Sequence, residues 1–259
     1  MAALTSAPSD HSRRKTALVL AGGGITGFLY EVGVLTALDE LAGRALSNDF
    51  DVYVGTSAGA VLAALLANGA HAAEIFAAMT QNEARSPFYF ESRDILGVGS
   101  GGPLRMMSQF ARATFEIAVE RGATAIVFVN LMVPIRNDRA RICIPAPGGH
   151  CARLSEKGVG WIGEQAMRLM RAHSLGSAID ALRSNPRVEL LHVEPGRDEM
   201  QLFMHSIMSF STGRELLEYG RDSGRRFFAS SGAAILSTGD SCASAPDLSL
   251  TAGHARAAV

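Results

Sequence analysis

An excess of charge of either sign is absent from this chain. Its 259 residues carry 24 Lys and Arg against 25 Asp and Glu, for a formal net charge of −1. A nucleic-acid binder usually shows a basic excess or stripe, so this balance argues against nucleic acid as a partner. Cysteine is scarce. Cys143, Cys151 and Cys242 are odd in number and sparse, which speaks against a disulfide framework and for a reduced, cytoplasmic setting. Cys143 and Cys151, with His150 beside them, also lack the second ligand pair that a zinc site needs. Long apolar runs are missing as well; no stretch reaches the roughly 18 unbroken apolar residues of a spanning helix. His11 to Lys15 ahead of Ala17 to Ala21 imitates the opening of a signal peptide, but the apolar run is short and ends in three glycines. It reads as a first strand.

What the chain does have is apolar material, 47% of its residues, with a slightly positive mean hydropathy. That suits one α/β domain with a sizeable core and hints at a membrane-touching surface. Residues 1–15 form a polar lead expected to be disordered, residues 16–228 the domain, and residues 229–259 a flexible tail rich in Ala, Ser and Gly. Within the domain, β-prone runs at 16–21, 51–54, 123–130 and 188–193 alternate with helical patterns at 24–41, 58–68, 72–84, 104–121, 161–183 and 199–228. Residues 131–160 show little periodicity. Such alternation predicts a mostly parallel sheet with helices on both faces.

Two motifs sit at strand-to-helix turns. Gly55-Thr56-Ser57-Ala58-Gly59 follows the second strand and opens a strongly apolar helix. A serine at such a turn exposes its hydroxyl, and its small neighbours admit a substrate carbonyl. Gly22-Gly23-Gly24-Ile25-Thr26-Gly27 follows the first strand. As a dinucleotide fingerprint it would want an acid ending the second strand, but that strand ends in the Ser57 turn. Adjacent parallel strands would instead bring the free Gly23 and Gly24 amides beside Ser57 as an oxyanion hole.

The runs LVLAGGGITGFLYEVGVL and VYVGTSAGAVLAALLANG together resemble the patatin-like phospholipases, densely from Thr16 to Gly69 and more weakly over Phe115 to Pro134. The resemblance implies a three-layer patatin-like α/β fold and acyl-ester hydrolysis by a Ser–Asp dyad in lipid degradation. By carry-over Ser57 is the nucleophile, Gly22, Gly23 and Gly24 supply oxyanion donors, and Gly27, Gly55 and Gly59 are motif glycines. It further implies a lipid or acyl-ester substrate, transient contact with a membrane surface, and no metal or organic cofactor. Thr26 stands where many members have Arg or Lys, so one positive charge near the hole is lost.

The chain departs from this pattern at the base. No Asp is followed by Gly, and none lies between Asp94 and Asp138. Only the 45 residues 70–114 separate Gly69 from Phe115, where the family has a longer stretch carrying further strands and the dyad Asp. An internal deletion with its junction near 97–114 accounts for both, and GVGSGGP is a plausible scar. Losing the base of a serine hydrolase costs on the order of 10⁴-fold in rate. Asp138, in the loop after the 123–130 strand, is the candidate substitute base. His192 and His205 offer a Ser–His arrangement, while Glu116 and Glu120 read as a solvated helix face. Arg136, Arg139 and Arg141 read as a solvated basic loop or a site for an anionic headgroup. The Met- and Phe-rich face from Met200 to Phe210 reads as core packing or a lipid-facing surface. Three functional readings stand: a hydrolase with a substitute base, a catalytically dead lipid- or membrane-binding member, and a truncated product that folds poorly.

Overall fold

The run Thr16–Leu20 forms β1, buried from Ala17 onward as a strand covered on both faces must be. The computed structural model describes residues 14–81, 115–135, 143–146, 148–196 and 213–231. Three further strands, β2 (Val52–Gly55), β3 (Ala125–Val129) and β6 (Glu189–Val193), join β1 in one all-parallel sheet of order β2-β1-β3-β6. The register aligns Leu20 with Gly55 on one side and Val129 on the other, so these strands end at the same edge. β3 pairs directly with β1, and the sheet is continuous. The junction expected within 97–114 lies outside the described residues.

Side chains alternate between two cores, as the pleat dictates. Leu18, Leu20, Val127, Val129, Leu191 and Val193 pack with α1 (Gly24–Ala42), α2 (Ala58–Ala67), α3 (Ala72–Thr80) and α5 (Gly213–Ser231). Ala17, Val19, Ile126 and Phe128 pack with helical residues 115–120 and α4 (Val159–Arg183) through Phe115, Leu175, Ile179 and Leu182. The result is the expected three-layer α/β arrangement. α1 is buried without interruption from Ile25 to Leu38, which explains why its apolar residues run around the whole helix. α5 lies against it closely enough that a β-carbon on Gly220 would come within 2.3 Å of the Tyr30 carbonyl oxygen.

Two expectations need correcting. The stretch 131–160 is not featureless: β4 (Ile144–Pro145) and β5 (Cys151–Ala152) pair antiparallel, and a 3-10 turn spans Leu154–Lys157. Cys143 and Cys151, read as free thiols of a reducing compartment, are joined in a disulfide across this hairpin, with their Cα atoms 4.8 Å apart. Odd overall cysteine number did not preclude it, because the hairpin brings just these two together. The helix expected to end at 228 continues through Ser231, and its portion at 199–212 lies outside the described residues.

Candidate active site

The carboxyl edge of the sheet carries both motifs. After β2 the chain reverses at Ser57, whose φ of 55° and ψ of −127° make it the one non-glycine residue with positive φ among the described residues. Such a conformation is costly for an L-residue and survives where the surroundings impose it. α2 starts at the next residue, so Ser57 occupies its N-cap position, yet the hydroxyl makes no capping hydrogen bond. The side chain is exposed, and its oxygen has no hydrogen-bond partner among the described residues. It is presented to solvent rather than spent on the helix.

The Gly22–Gly24 loop lies against this turn, backbone to backbone. All three glycines have positive φ, at 69°, 125° and 65°. A β-carbon on Gly59 would stand 2.8 Å from the Gly22 nitrogen, so neither turn tolerates a side chain at the contact. Gly27 and Gly55 are crowded in the same way, by the Gly22 and Gly59 carbonyl oxygens respectively. α1 and α2 both begin at this edge, directing two helix N-termini toward the space beside Ser57, with the Gly59 and Ala60 amides of α2 already bonded to the Thr56 and Ser57 carbonyls.

The three loop glycines are not equivalent. The Gly22 amide donates to Oε1 of Glu31 at 2.7 Å and is therefore occupied, contrary to the donor role expected of it. The Gly23 and Gly24 amides have no acceptor among the described residues. Met132, beyond the end of β3, borders the loop; its side chain would lie 3.2 Å from a β-carbon on Gly23. Thr26 donates its hydroxyl to the Gly23 carbonyl at 3.2 Å. Arg171 of α4 donates from Nη2 to the Ala21 carbonyl, next to the loop.

Glu31 and Arg171 were not singled out from the sequence. One signal was available for Glu31, the lone charged residue between Gly24 and Leu38 in an otherwise apolar helix. Its burial is complete, which pushes its carboxyl from 4.5 up to about 8, against the opposing pull of the Gly22 amide and Arg171. Nothing in the local pattern of α4 distinguished Arg171, or its neighbour Arg168, which is also buried and binds Glu164 and the Val133 carbonyl.

The other sequence candidates fall elsewhere. His192 lies on β6, three strands from β2 and so about 14 Å across the sheet. It stacks on Phe128 with ring centroids 4.8 Å apart, and burial lowers its pKa to about 4. It is a core histidine, not a partner of Ser57. Glu116 and Glu120 are exposed on a helical segment that leads into the amino end of β3, away from Ser57. Asp138, His205, Arg136, Arg139, Arg141 and the Met200–Phe210 face lie outside the described residues. The disulfide consumes both thiols considered for zinc.

The family model described as patatin-like phospholipase matches residues 18–144, which hold most of β1, the glycine loop, Ser57 and β3. Over these residues, just under half of its length, the chain is similar to the patatin-like phospholipases. A cUMP-AMP-activated phospholipase of Escherichia coli is 43% identical over 68 residues, or 26% of this chain and 21% of that protein. The match thus spans about a fifth of that relative's length. No solved structure matches the chain. Both glycine motifs fall inside the family match, whereas Arg171 and β6 lie beyond it. No helix among the described residues is long and apolar enough to cross a membrane.

Proposed function

We propose that the chain is a lipid acyl hydrolase in which Ser57 is the nucleophile and the Gly23 and Gly24 amides hold the oxyanion. The observation that carries this reading is the conformation of Ser57, a strained and exposed serine set against a loop with unpaired amides. In the reaction Ser57 Oγ attacks the ester carbonyl as its proton passes to a base. The carbonyl oxygen takes up negative charge facing the loop amides, the alcohol leaves with a proton, and water then releases the fatty acid. Neither a metal nor an organic cofactor enters this sequence of steps.

The base is the weak point. Asp39 accepts from Ser47, Asp49 from Arg44 and Asp51 from Thr16. Asp51 also precedes β2 and so stands at the opposite edge from Ser57. None of these three serves Ser57, and Asp138 remains the candidate. Activity is accordingly expected to be weak, since an unassisted serine hydroxyl is a poor nucleophile at neutral pH. A second reading, a member that binds acyl chains without turning them over, is favoured by the sequence, in which no Asp is followed by Gly.

Contact with a lipid surface is supported by the first half of α4. Val159, Ile162, Leu169 and Met170 are exposed there, and Arg168 ties this half to the chain leaving β3 at the carboxyl edge. The test is turnover of a short-chain chromogenic ester and labelling by a fluorophosphonate, for the wild type, Ser57→Ala and Asp138→Asn. Loss of both signals in Ser57→Ala supports the hydrolase, and their loss in Asp138→Asn identifies the base. A folded wild type that neither turns over nor labels, but binds vesicles, establishes the second reading.

A further inference from the structure

The peptide unit between Ala21 and Gly22 is held at both ends by buried ionisable side chains arriving from opposite faces of the sheet. Glu31, from α1 in one helical layer, accepts from the Gly22 N–H at 2.7 Å. Arg171, from α4 in the other layer, donates to the Ala21 C=O. There are no cis peptide bonds among the described residues, so the C=O and N–H of this unit point in opposite directions, which is what allows each layer to take one end. The grip is stiff because Glu31 and Arg171 are 0% and 4% exposed.

Packing alone does not account for either side chain. Glu31 Oε2 and Arg171 Nε and Nη1 lack hydrogen-bond partners among the described residues, and burying such groups costs free energy that an apolar pair would not. The neighbouring Arg168 shows the contrast, with Nε, Nη1 and Nη2 all engaged. What the two groups do accomplish is local. Gly22 has a φ of 69°, in a loop of three glycines with little steric preference of its own. Fixing the plane of the Ala21–Gly22 peptide fixes where the chain heads next, and the next two amides are those of Gly23 and Gly24.

We infer that Glu31 and Arg171 are positioning residues of the oxyanion loop: by holding the two ends of the Ala21–Gly22 peptide they set the direction of the Gly23 and Gly24 amides toward Ser57. The inference rests on the hydrolase reading for its purpose. The grip itself is a property of the loop and can be measured without any chemistry.

The test uses the full chain labelled with 15N, as wild type, Glu31→Gln, Glu31→Leu, Arg171→Met and Arg171→Lys. The first readout is native-state amide hydrogen exchange. Gly22 should exchange about tenfold faster or more in Glu31→Leu and Arg171→Met, while Val127 in β3 keeps its wild-type rate. Glu31→Gln retains an acceptor oxygen and Arg171→Lys a donor, so both should preserve Gly22 protection. The second readout is fluorophosphonate labelling of Ser57, expected to slow about tenfold to a hundredfold in Glu31→Leu and Arg171→Met and to recover in Glu31→Gln.

Unchanged Gly22 exchange in the two apolar variants overturns the grip. Faster exchange with undiminished labelling overturns its role in positioning. Should the apolar variants fail to fold, Glu31→Gln and Arg171→Lys decide the matter, and loss of Gly22 protection in both counts against the proposal. A wild type that does not label removes the hydrolase reading instead, while the exchange pattern still supports or overturns the grip.

Discussion

A β-carbon on Gly22 would stand 2.1 Å from the carbonyl oxygen of Thr56. That one contact locks the glycine loop after β1 to the serine turn after β2, two motifs separated by some thirty residues of α1 and its following loop. It also makes the loop intolerant of change. Gly22→Ala adds this clash to an unfavourable positive φ and is expected to cost about 3 kcal/mol or more. Urea unfolding would show it as a lower midpoint with an unchanged slope. A midpoint within error of the wild type would mean that the two turns are further apart than described.

The strain at Ser57 has its own signature. Alanine at this position keeps a side chain at a φ of 55°, whereas glycine adopts such a conformation without penalty. Relief of strain outweighs glycine's greater backbone entropy in the unfolded chain, so Ser57→Gly should be more stable than Ser57→Ala by about 1 kcal/mol. Paired thermal melts of the two variants measure this difference. The reverse order would place Ser57 in an ordinary turn.

Glu31 makes stability depend on pH in a defined direction. Its folded pKa, pushed from 4.5 to about 8 by burial, means that the folded state holds this proton more tightly than the unfolded state. Its contribution is therefore fully present below pH 4.5 and is lost as pH rises through about 8. Glu31→Gln imitates the neutral carboxyl and should not lose it. The advantage of the variant over the wild type is expected to widen between pH 5 and pH 8, as read from urea midpoints at both values. An advantage that stays constant over that interval would show that the carboxyl is ionised throughout, stabilised by Arg171.

The hairpin disulfide is checked by counting thiols. In denaturant without reductant, alkylation should modify one cysteine of the three, and after reduction all three. The bridge closes a loop with a sequence separation of 8, so Cys143→Ser should destabilise by about 2 kcal/mol. Three reactive thiols before reduction would restore the reading of a reduced protein.

Much of the architecture was legible in the linear order of residues. Each sheet strand is a short β-branched or apolar run, and the strand of residues 125–129 stood out because AIVFV must be covered on both faces. Gly55-Thr56-Ser57-Ala58-Gly59 was legible because the constraint is local: an exposed serine on a sharp turn needs small neighbours within two residues. His192 misled for the opposite reason. Whether a strand histidine meets a nucleophile depends on strand order, and β6 lies at the far edge of the sheet from β2.

The sequence by itself determined the strands, the helices between them and the two glycine turns, because short-range sterics and hydrophobic periodicity act over a few residues. Only the tertiary structure decided which amides of the glycine loop are left unpaired, since that depends on Glu31 reaching back to Gly22 and on Arg171 arriving across a separation of 150 residues. Cysteine pairing was decided the same way, by the hairpin that brings Cys143 to Cys151 and leaves Cys242 out of the bond. Contacts of this kind are set by how the layers pack, and no local pattern of residue types encodes which two buried groups will meet.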